Sequence, residues 1–174
     1  MTRARYIHKR SRSAEAADIL QAIFAAELIS PSSALWLVSP WISNIPILDN
    51  RSNAFLSLEP AWGESRVRLA TVLLKLASLG TRVVVATRPI DHNADFIAAI
   101  QDGYVAGGPR PVIHRARELH EKGILGDGYH LGGSMNITFN GISVNEEALH
   151  FQTDAGEVAR TRVLLAQRWP GGLV

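Results

Sequence analysis

Four segments of this chain carry apolar residues at intervals of three and four, the spacing that places them on one face of an α-helix. These segments cover residues 13–30, 65–79, 93–102 and 154–168. Gly80 follows the second segment as a C-terminal cap, and Asp154 with Glu157 resembles a capping box at the start of the last. The pattern therefore predicts four helices.

Between these segments lie short runs of contiguous apolar residues, which predict buried strands. They cover residues 34–39, 82–86 and 112–114, and a β-hairpin is predicted within residues 119–151. A helix that crosses between two such strands is typical of a right-handed parallel crossover. The chain is therefore predicted to form an α/β sandwich, with a mixed central β-sheet flanked by helices on both faces.

One region fits neither pattern. Residues 42–63 are rich in Asn, Ser and Pro, a composition that predicts a long loop with little regular structure. Long ordered loops in compact domains are commonly functional. We expect this loop to supply either substrate contacts or a dimer surface, and the sequence does not choose between the two.

Composition indicates one domain. The chain has 174 residues, of which 47% are hydrophobic, enough to bury one sizeable core. Residues 13–174 are predicted to form this domain, and residues 1–12 a basic N-terminal arm. No apolar run approaches the roughly 20 residues that a membrane span needs, so no integral membrane association is expected. The absence of cysteine excludes disulfides and thiolate metal sites and fits a cytoplasmic protein.

The positive charge is concentrated at two places. Five of the 18 Lys and Arg residues precede the first acidic residue, Glu15, which leaves 13 basic and 16 acidic residues in the remainder. The arm could bind nucleic-acid phosphates or be an ordinary solvated terminus. A second cluster, Arg110, His114, Arg115 and Arg117, could raise the potential around a polyanionic substrate or simply be an exposed strand and loop.

Polar side chains that could bind a ligand or take part in a reaction are concentrated within residues 119–151. His120 and Lys122 are two residues apart, so on a strand they share one face and can contact one ligand. Gly126-Asp127-Gly128 provides turn chemistry, and Ser134 and Asn136 are again two residues apart. The hairpin is therefore predicted to bind a phosphate diester.

These residues resemble the signature of the phospholipase D superfamily, which is His, any residue, Lys, four residues, Asp. The match runs from His120 through Lys122 to Asp127. Two downstream elements of the family also match, Gly133-Ser134-Met135-Asn136 and Asn145-Glu146. Three ordered elements are much more specific than one short motif. The resemblance implies the phospholipase D-like fold and a phosphodiesterase of its nuclease branch.

The resemblance also implies a mechanism that needs two histidines. One histidine attacks phosphorus to form a phosphohistidine, while the other protonates the leaving oxygen and then activates water. Because this chain contains one signature, a homodimer is predicted, with both copies of His120 in one shared site. Lys122 would hold the nonbridging phosphate oxygens, and Ser134 and Asn136 would be supplementary phosphate ligands.

Two carboxylates complete the predicted site. Glu146 would accept a hydrogen bond from His120 and stabilise its imidazolium, and Asp127 would orient and pair locally with the motif. Glu147 is expected to point the opposite way. No metal or other cofactor is predicted, because histidine and lysine already supply positive charge, and His130 and His150 have no recognised metal-ligand spacing.

The substrate is the part of the predicted function that the sequence determines least. The family includes nucleases, phospholipases and members linked to bacterial DNA-modification or defence systems, and fold alone does not select among them. The small size, single signature and basic arm favour DNA cleavage, and the N-terminal pattern also resembles proteins of DNA-modification clusters that carry 7-deazaguanine. A phospholipid phosphodiesterase and a catalytically silent nucleic-acid-binding subunit remain the alternatives.

Overall fold

The computed structural model describes residues 4–8, 14–145 and 147–172. The strands in these ranges are β1 (Ala4–His8), β2 (Ala34–Val38), β3 (Pro46–Asp49), β4 (Arg66–Arg68), β5 (Arg82–Thr87), β6 (Val112–Arg115), β7 (Gly123–Leu125), β8 (His130–Gly133) and β9 (Ala148–Gln152). The α-helices are α1 (Ala14–Ile29), α2 (Leu69–Ser78), α3 (Ala94–Asp102), α4 (Phe139–Ser143) and α5 (Ala155–Arg168).

Seven of the strands form one mixed sheet in the order β1-β9-β8-β7-β2-β5-β6. The central strand β2 is parallel to β5, with Trp36 opposite Val84, and antiparallel to β7, with Trp36 opposite Leu125. Strands β7, β8, β9 and β1 continue as an antiparallel series. The predicted hairpin is therefore β7–β8, joined by a turn at Gly126-Asp127-Gly128.

The two faces of the sheet bury different helices, because successive side chains of a strand point to opposite faces. Leu35 and Leu37 of β2 belong to the larger core, which α1, α2 and α3 cover. Trp36 and Val38 belong to a smaller core, which α5 covers through residues such as Leu165. The predicted α/β sandwich with helices on both faces is confirmed. None of the helices described is long and apolar enough to span a bilayer.

The region predicted as a long loop differs from the expectation. Within residues 42–63, Pro46–Asp49 forms β3, which pairs with β4 in a separate two-stranded sheet. Ile47 and Leu48 are buried, so this segment packs on the core through only two adjacent apolar residues. The helix predicted from residue 65 begins at Leu69, after β4. Residues 4–8 of the predicted basic arm form β1, which pairs with β9.

A single buried side chain fixes the chain where β2 and β5 end. Asn93 is fully buried, and its Oδ1 accepts a hydrogen bond of 2.8 Å from the amide of Ile42. Its Nδ2 lies 2.9 Å from the carbonyl oxygen of Pro40, 2.8 Å from Thr87 Oγ1 and 2.9 Å from the carbonyl oxygen of Arg88. Asn93 therefore ties the residues that follow β2 to those that follow β5.

Replacing this side chain should be costly. We expect Asn93→Ala to lower the free energy of unfolding by about 2–4 kcal/mol, because several buried polar groups lose their partner at once. Chemical denaturation measures the change. The matched control is Asn140→Ala on the exposed surface of α4, where a change within about 0.5 kcal/mol is expected. Equal losses in the two variants would contradict the role of Asn93.

Candidate active site

Strand directions bring most of the predicted site residues to one rim of the sheet. Because β5 and β6 are parallel to β2 and β7 is antiparallel to it, β2, β5, β6 and β8 end where β7 and β9 begin. We call this boundary the site rim. His120 and Lys122 precede β7, Ser134 and Asn136 follow β8, and Glu147 precedes β9. All five residues therefore lie on the site rim.

The segment that carries His120 is held by hydrogen bonds from two side chains to its backbone carbonyl oxygens. Arg88 donates from Nε to the carbonyl oxygen of Leu119 at 2.7 Å, and Lys122 donates from Nζ to the carbonyl oxygen of His120 at 2.7 Å. The segment lies just before β7 and is outside the regular strand on which it was predicted. His120 is exposed and Lys122 is half-buried, so the histidine is accessible from solvent.

The electrostatic surroundings of Lys122 are set by one carboxylate and one guanidinium. Burial lowers the pKa of Lys122, and the positive charge of Arg88 lowers it further, whereas the negative charge of Glu147 acts in the opposite direction. Partial desolvation of an ammonium group strengthens its attraction for an anion that replaces water. Lys122 is therefore placed to attract an anion to the rim.

Ser134 is positioned by the close approach of β8 and β9. The Ser134 amide donates to the carbonyl oxygen of Ala148 at 3.0 Å, and the Ala148 amide donates to Ser134 Oγ at 3.0 Å. This approach requires Gly133, whose φ is 149° and whose position has no room for a Cβ, because that atom would collide with the carbonyl oxygen of Ala148. A glycine thus determines where the serine hydroxyl lies.

Asn136 lies against the residues that follow β2. Ser39 is fully buried, and its Oγ is 3.5 Å from Asn136 Oδ1 and 2.8 Å from the carbonyl oxygen of Trp41. The amide of Ile137 donates to the same Oγ at 3.3 Å. Ser39 therefore joins the loop after β8 to the end of β2, a contact that the sequence interpretation did not include.

The direction of the Glu147 side chain differs from the one expected from the sequence. It was expected to point away from the site, yet Ser134 donates a short hydrogen bond from Oγ to Glu147 Oε2, and Asn145 Nδ2 lies 3.4 Å from Glu147 Oε1. The expectation was wrong because it assumed a strand through residue 147, whereas β9 begins at Ala148. The predicted Glu146 lies outside the described residues.

Comparison with solved structures shows what this architecture is. NucT from Helicobacter pylori matches with a TM-score of 0.61 and 14% sequence identity, over 96% of this chain and 95% of that one. Nuc from Salmonella typhimurium, a phospholipase D family member, matches with a TM-score of 0.56 and 14% identity, over 99% and 96%. The chain has the phospholipase D-like fold. The fold implied by the sequence resemblance is thereby confirmed.

A further solved structure matches this chain over about half of its own length. TrmBL2, an archaeal chromatin protein with a novel mode of DNA binding, matches with a TM-score of 0.51 and 9% identity, over 95% of this chain and 52% of that one. No family model matches the chain, and no curated protein does. At these identities the likeness establishes the fold alone.

Asp127 lies at the opposite end of β7 from the other signature residues of this phospholipase D-like fold. Its carboxylate accepts hydrogen bonds from the Ser33 amide at 2.7 Å, from Ser33 Oγ at 2.9 Å and from Arg162 Nη1 at 2.8 Å. Four residues, 123–126, separate it from Lys122, and the five steps from Lys122 to Asp127 along an extended chain correspond to about 16 Å. The expected local pairing with the motif is wrong: Asp127 joins the hairpin turn to the start of β2 and to α5.

Three other charged or titratable residues near the signature have side chains directed away from the site residues. His114 Nε2 is 2.7 Å from the carbonyl oxygen of Pro170, so its ring faces the C-terminal segment. Arg110 precedes β6 and lies over the ring of Tyr104 at 5.5 Å. His130 begins β8 at the end of the strand opposite the rim, and burial, with a smaller effect from a neighbouring histidine, lowers its pKa. Within the described ranges, no three potential metal ligands cluster together.

The pKa of Asp127 predicts a pH-dependent contribution to stability. Burial raises this pKa, but the hydrogen bonds from Ser33 and Arg162 outweigh burial and leave it below the usual value. The charged carboxylate therefore stabilises the fold above pH of about 4, and this stabilisation disappears as the pH falls through the lowered pKa.

We expect Asp127→Asn to lower the free energy of unfolding by about 1 kcal/mol at pH 7, since the ion pair is partly exposed. The difference from the wild type should shrink towards pH 3. Denaturant titrations at both pH values measure it, with Asp102→Asn at the exposed end of α3 as the control. A difference that grew on acidification would contradict the assignment.

Proposed function

We propose that this protein is a metal-independent phosphodiesterase of the phospholipase D superfamily that cleaves DNA through a phosphohistidine intermediate. The observation that carries the proposal is the position of a histidine, a lysine, a serine, an asparagine and a glutamate along one rim of this fold. These residues are His120, Lys122, Ser134, Asn136 and Glu147. They supply a nucleophile, a cation, neutral hydrogen-bonding groups and a carboxylate, the set that phosphoryl transfer needs.

The first step is attack of a His120 imidazole nitrogen on phosphorus, which forms a P–N bond as the P–O bond to the leaving oxygen breaks. A second imidazole gives its proton to that oxygen. The now neutral second imidazole then takes a proton from water, which attacks phosphorus and breaks the P–N bond. Lys122 neutralises the nonbridging oxygens in both steps, and Asn136 offers hydrogen bonds to them, as does Ser134 once its hydroxyl turns from Glu147 to the phosphate.

The carboxylate that supports the histidine is proposed to be Glu147. Its contact with Ser134 and its charge effect on Lys122 support a position facing the substrate. A carboxylate beside an imidazole holds its orientation and stabilises the imidazolium that forms when the ring accepts a proton. Glu146, the residue expected from the sequence, precedes it and provides the natural comparison.

The second imidazole is proposed to come from a second copy of the chain. His120 lies on an open rim and is exposed, so a partner subunit can approach it. A two-fold axis beside this residue would bring the two copies of His120 together, and isologous dimers are the commonest oligomers. Asp127 has no chemical role in this scheme; it stabilises the turn that ends β7.

DNA is the proposed substrate because basic residues accompany the site, and because one structure with this fold, TrmBL2, is described as binding DNA. Phospholipid hydrolysis and binding of nucleic acid without turnover are the competing outcomes. Parallel incubation with plasmid, single-stranded DNA, RNA and phospholipid vesicles distinguishes them, since each competing function predicts a different product or none.

The metal-free mechanism has a direct test. We expect the wild-type protein to hydrolyse bis-p-nitrophenyl phosphate in excess EDTA, and His120→Asn to lower kcat by about 1,000-fold or more, because the nucleophile and the general acid are lost together. Release of p-nitrophenolate measures the rate. Light scattering should give the mass of a dimer for both proteins.

Three results would count against the proposal. Turnover retained in His120→Asn would reject the nucleophile, and a monomeric active enzyme would reject the shared site. A folded wild type with no diesterase activity in the presence or absence of metal ions would favour the silent binding subunit.

The two neighbouring glutamates offer a matched pair. We expect Glu147→Gln to lower kcat by about 100-fold and to move the alkaline limb of the pH–rate profile to lower pH, because the imidazolium loses a stabilising carboxylate. Glu146→Gln changes the adjacent position by the same chemistry and should have a smaller effect on both quantities. The reverse ranking would return the role to Glu146.

A further inference from the structure

Three arginines lie on the site rim but have no part in the proposed chemistry. Arg88 follows β5, Arg115 ends β6, and Arg117 lies two residues further along the chain. Strands β5 and β6 are parallel neighbours, with Thr87 opposite Arg115, so the arginines follow the rim away from His120. We call these three residues the arginine track.

A short turn connects the track to the site. The amide of Ala116 donates to the carbonyl oxygen of Thr87 at 2.9 Å, and the amide of Leu119 donates to the carbonyl oxygen of Ala116 at 3.3 Å. The turn therefore crosses the carboxyl end of β5 and carries Arg117 over it. His120 is the next residue after this turn, so the track and the nucleophile share one continuous surface.

The guanidinium groups of the track are available to a ligand. Arg88 lies 5.1 Å from the centroid of the Trp41 ring and donates only through Nε, so its two terminal nitrogens have no hydrogen-bond partner among the described residues. The side chains of Arg115 and Arg117 are exposed and form no hydrogen bond or ion pair within the described ranges. Free guanidinium groups at neutral pH are strong ligands for phosphate oxygens.

We propose that Arg88, Arg115 and Arg117 bind consecutive phosphates of a polynucleotide strand whose scissile phosphate lies at His120. This inference rests on the proposed function and deepens it, because it selects a polynucleotide over an isolated diester. A strand presents phosphates beyond the scissile one, whereas a common phospholipid presents a single phosphate. The ring of Trp41 holds Arg88 in place, so this guanidinium loses little freedom when it binds.

The salt dependence of binding tests the track independently of turnover. Each phosphate contact to a single strand contributes about 0.7 to the slope of log K against log salt concentration, because bound counterions are released. We therefore expect the double variant Arg115→Gln/Arg117→Gln to reduce this slope by about 1.4 for a single-stranded oligodeoxynucleotide. Fluorescence anisotropy between low and physiological salt measures the slope.

The control removes the same charge elsewhere. Arg51→Gln/Arg160→Gln replaces two exposed arginines that are paired with Asp49 and Glu157, and it should leave the slope within about 0.3 of the wild type. A third variant, Arg88→Gln, should reduce the slope by about 0.7. Thermal unfolding of each variant checks that the fold is retained.

Several outcomes would overturn the track. Equal slopes for the rim and control variants would reject it, as would a wild type that binds anionic vesicles but no oligonucleotide. The proposed diesterase has its own readout in the hydrolysis of bis-p-nitrophenyl phosphate in EDTA. Hydrolysis with equal slopes would reject only the track, and a reduced slope without hydrolysis would reject only the enzyme.

Discussion

The position of β2 between one parallel and one antiparallel neighbour is the constraint on which the candidate site depends. Parallel pairing with β5 places the carboxyl ends of β2 and β5 on one rim. Antiparallel pairing with β7 brings the start of β7 to the same rim. Residues distant in sequence, such as Arg88 and His120, become neighbours for this reason alone. The buried side chain of Asn93 joins the residues that follow β2 to those that follow β5 by hydrogen bonds.

Much of the fold could be predicted from the sequence because each element buries a regular pattern. In α2, Val72, Leu73 and Leu76 are buried at the spacing that predicted the helix, and β5 is buried along almost its whole length. Strand β3 could not be recognised, because only Ile47 and Leu48 are buried and two adjacent residues show no period.

The site was predictable in its composition but less so in its geometry. Motif spacing counts residues along the chain, and the intervening strand β7 carries Asp127 to the far end of the sheet, where Ser33 and Arg162 bind it. Alternation along a strand gave the wrong direction for Glu147, because the residue lies before the strand begins. A useful signal was available in the residues that follow parallel strands, which include Ser39 and Arg88.

Gly133 has a consequence that reaches beyond the placement of one hydroxyl. Its backbone conformation and the absence of a side chain let β8 and β9 approach closely beside Ser134. A position of this kind is constrained by shape, so divergence among proteins of this architecture should be freer at substrate-contacting groups than here. The glycine thus keeps the backbone geometry constant while the residues that contact the substrate can change.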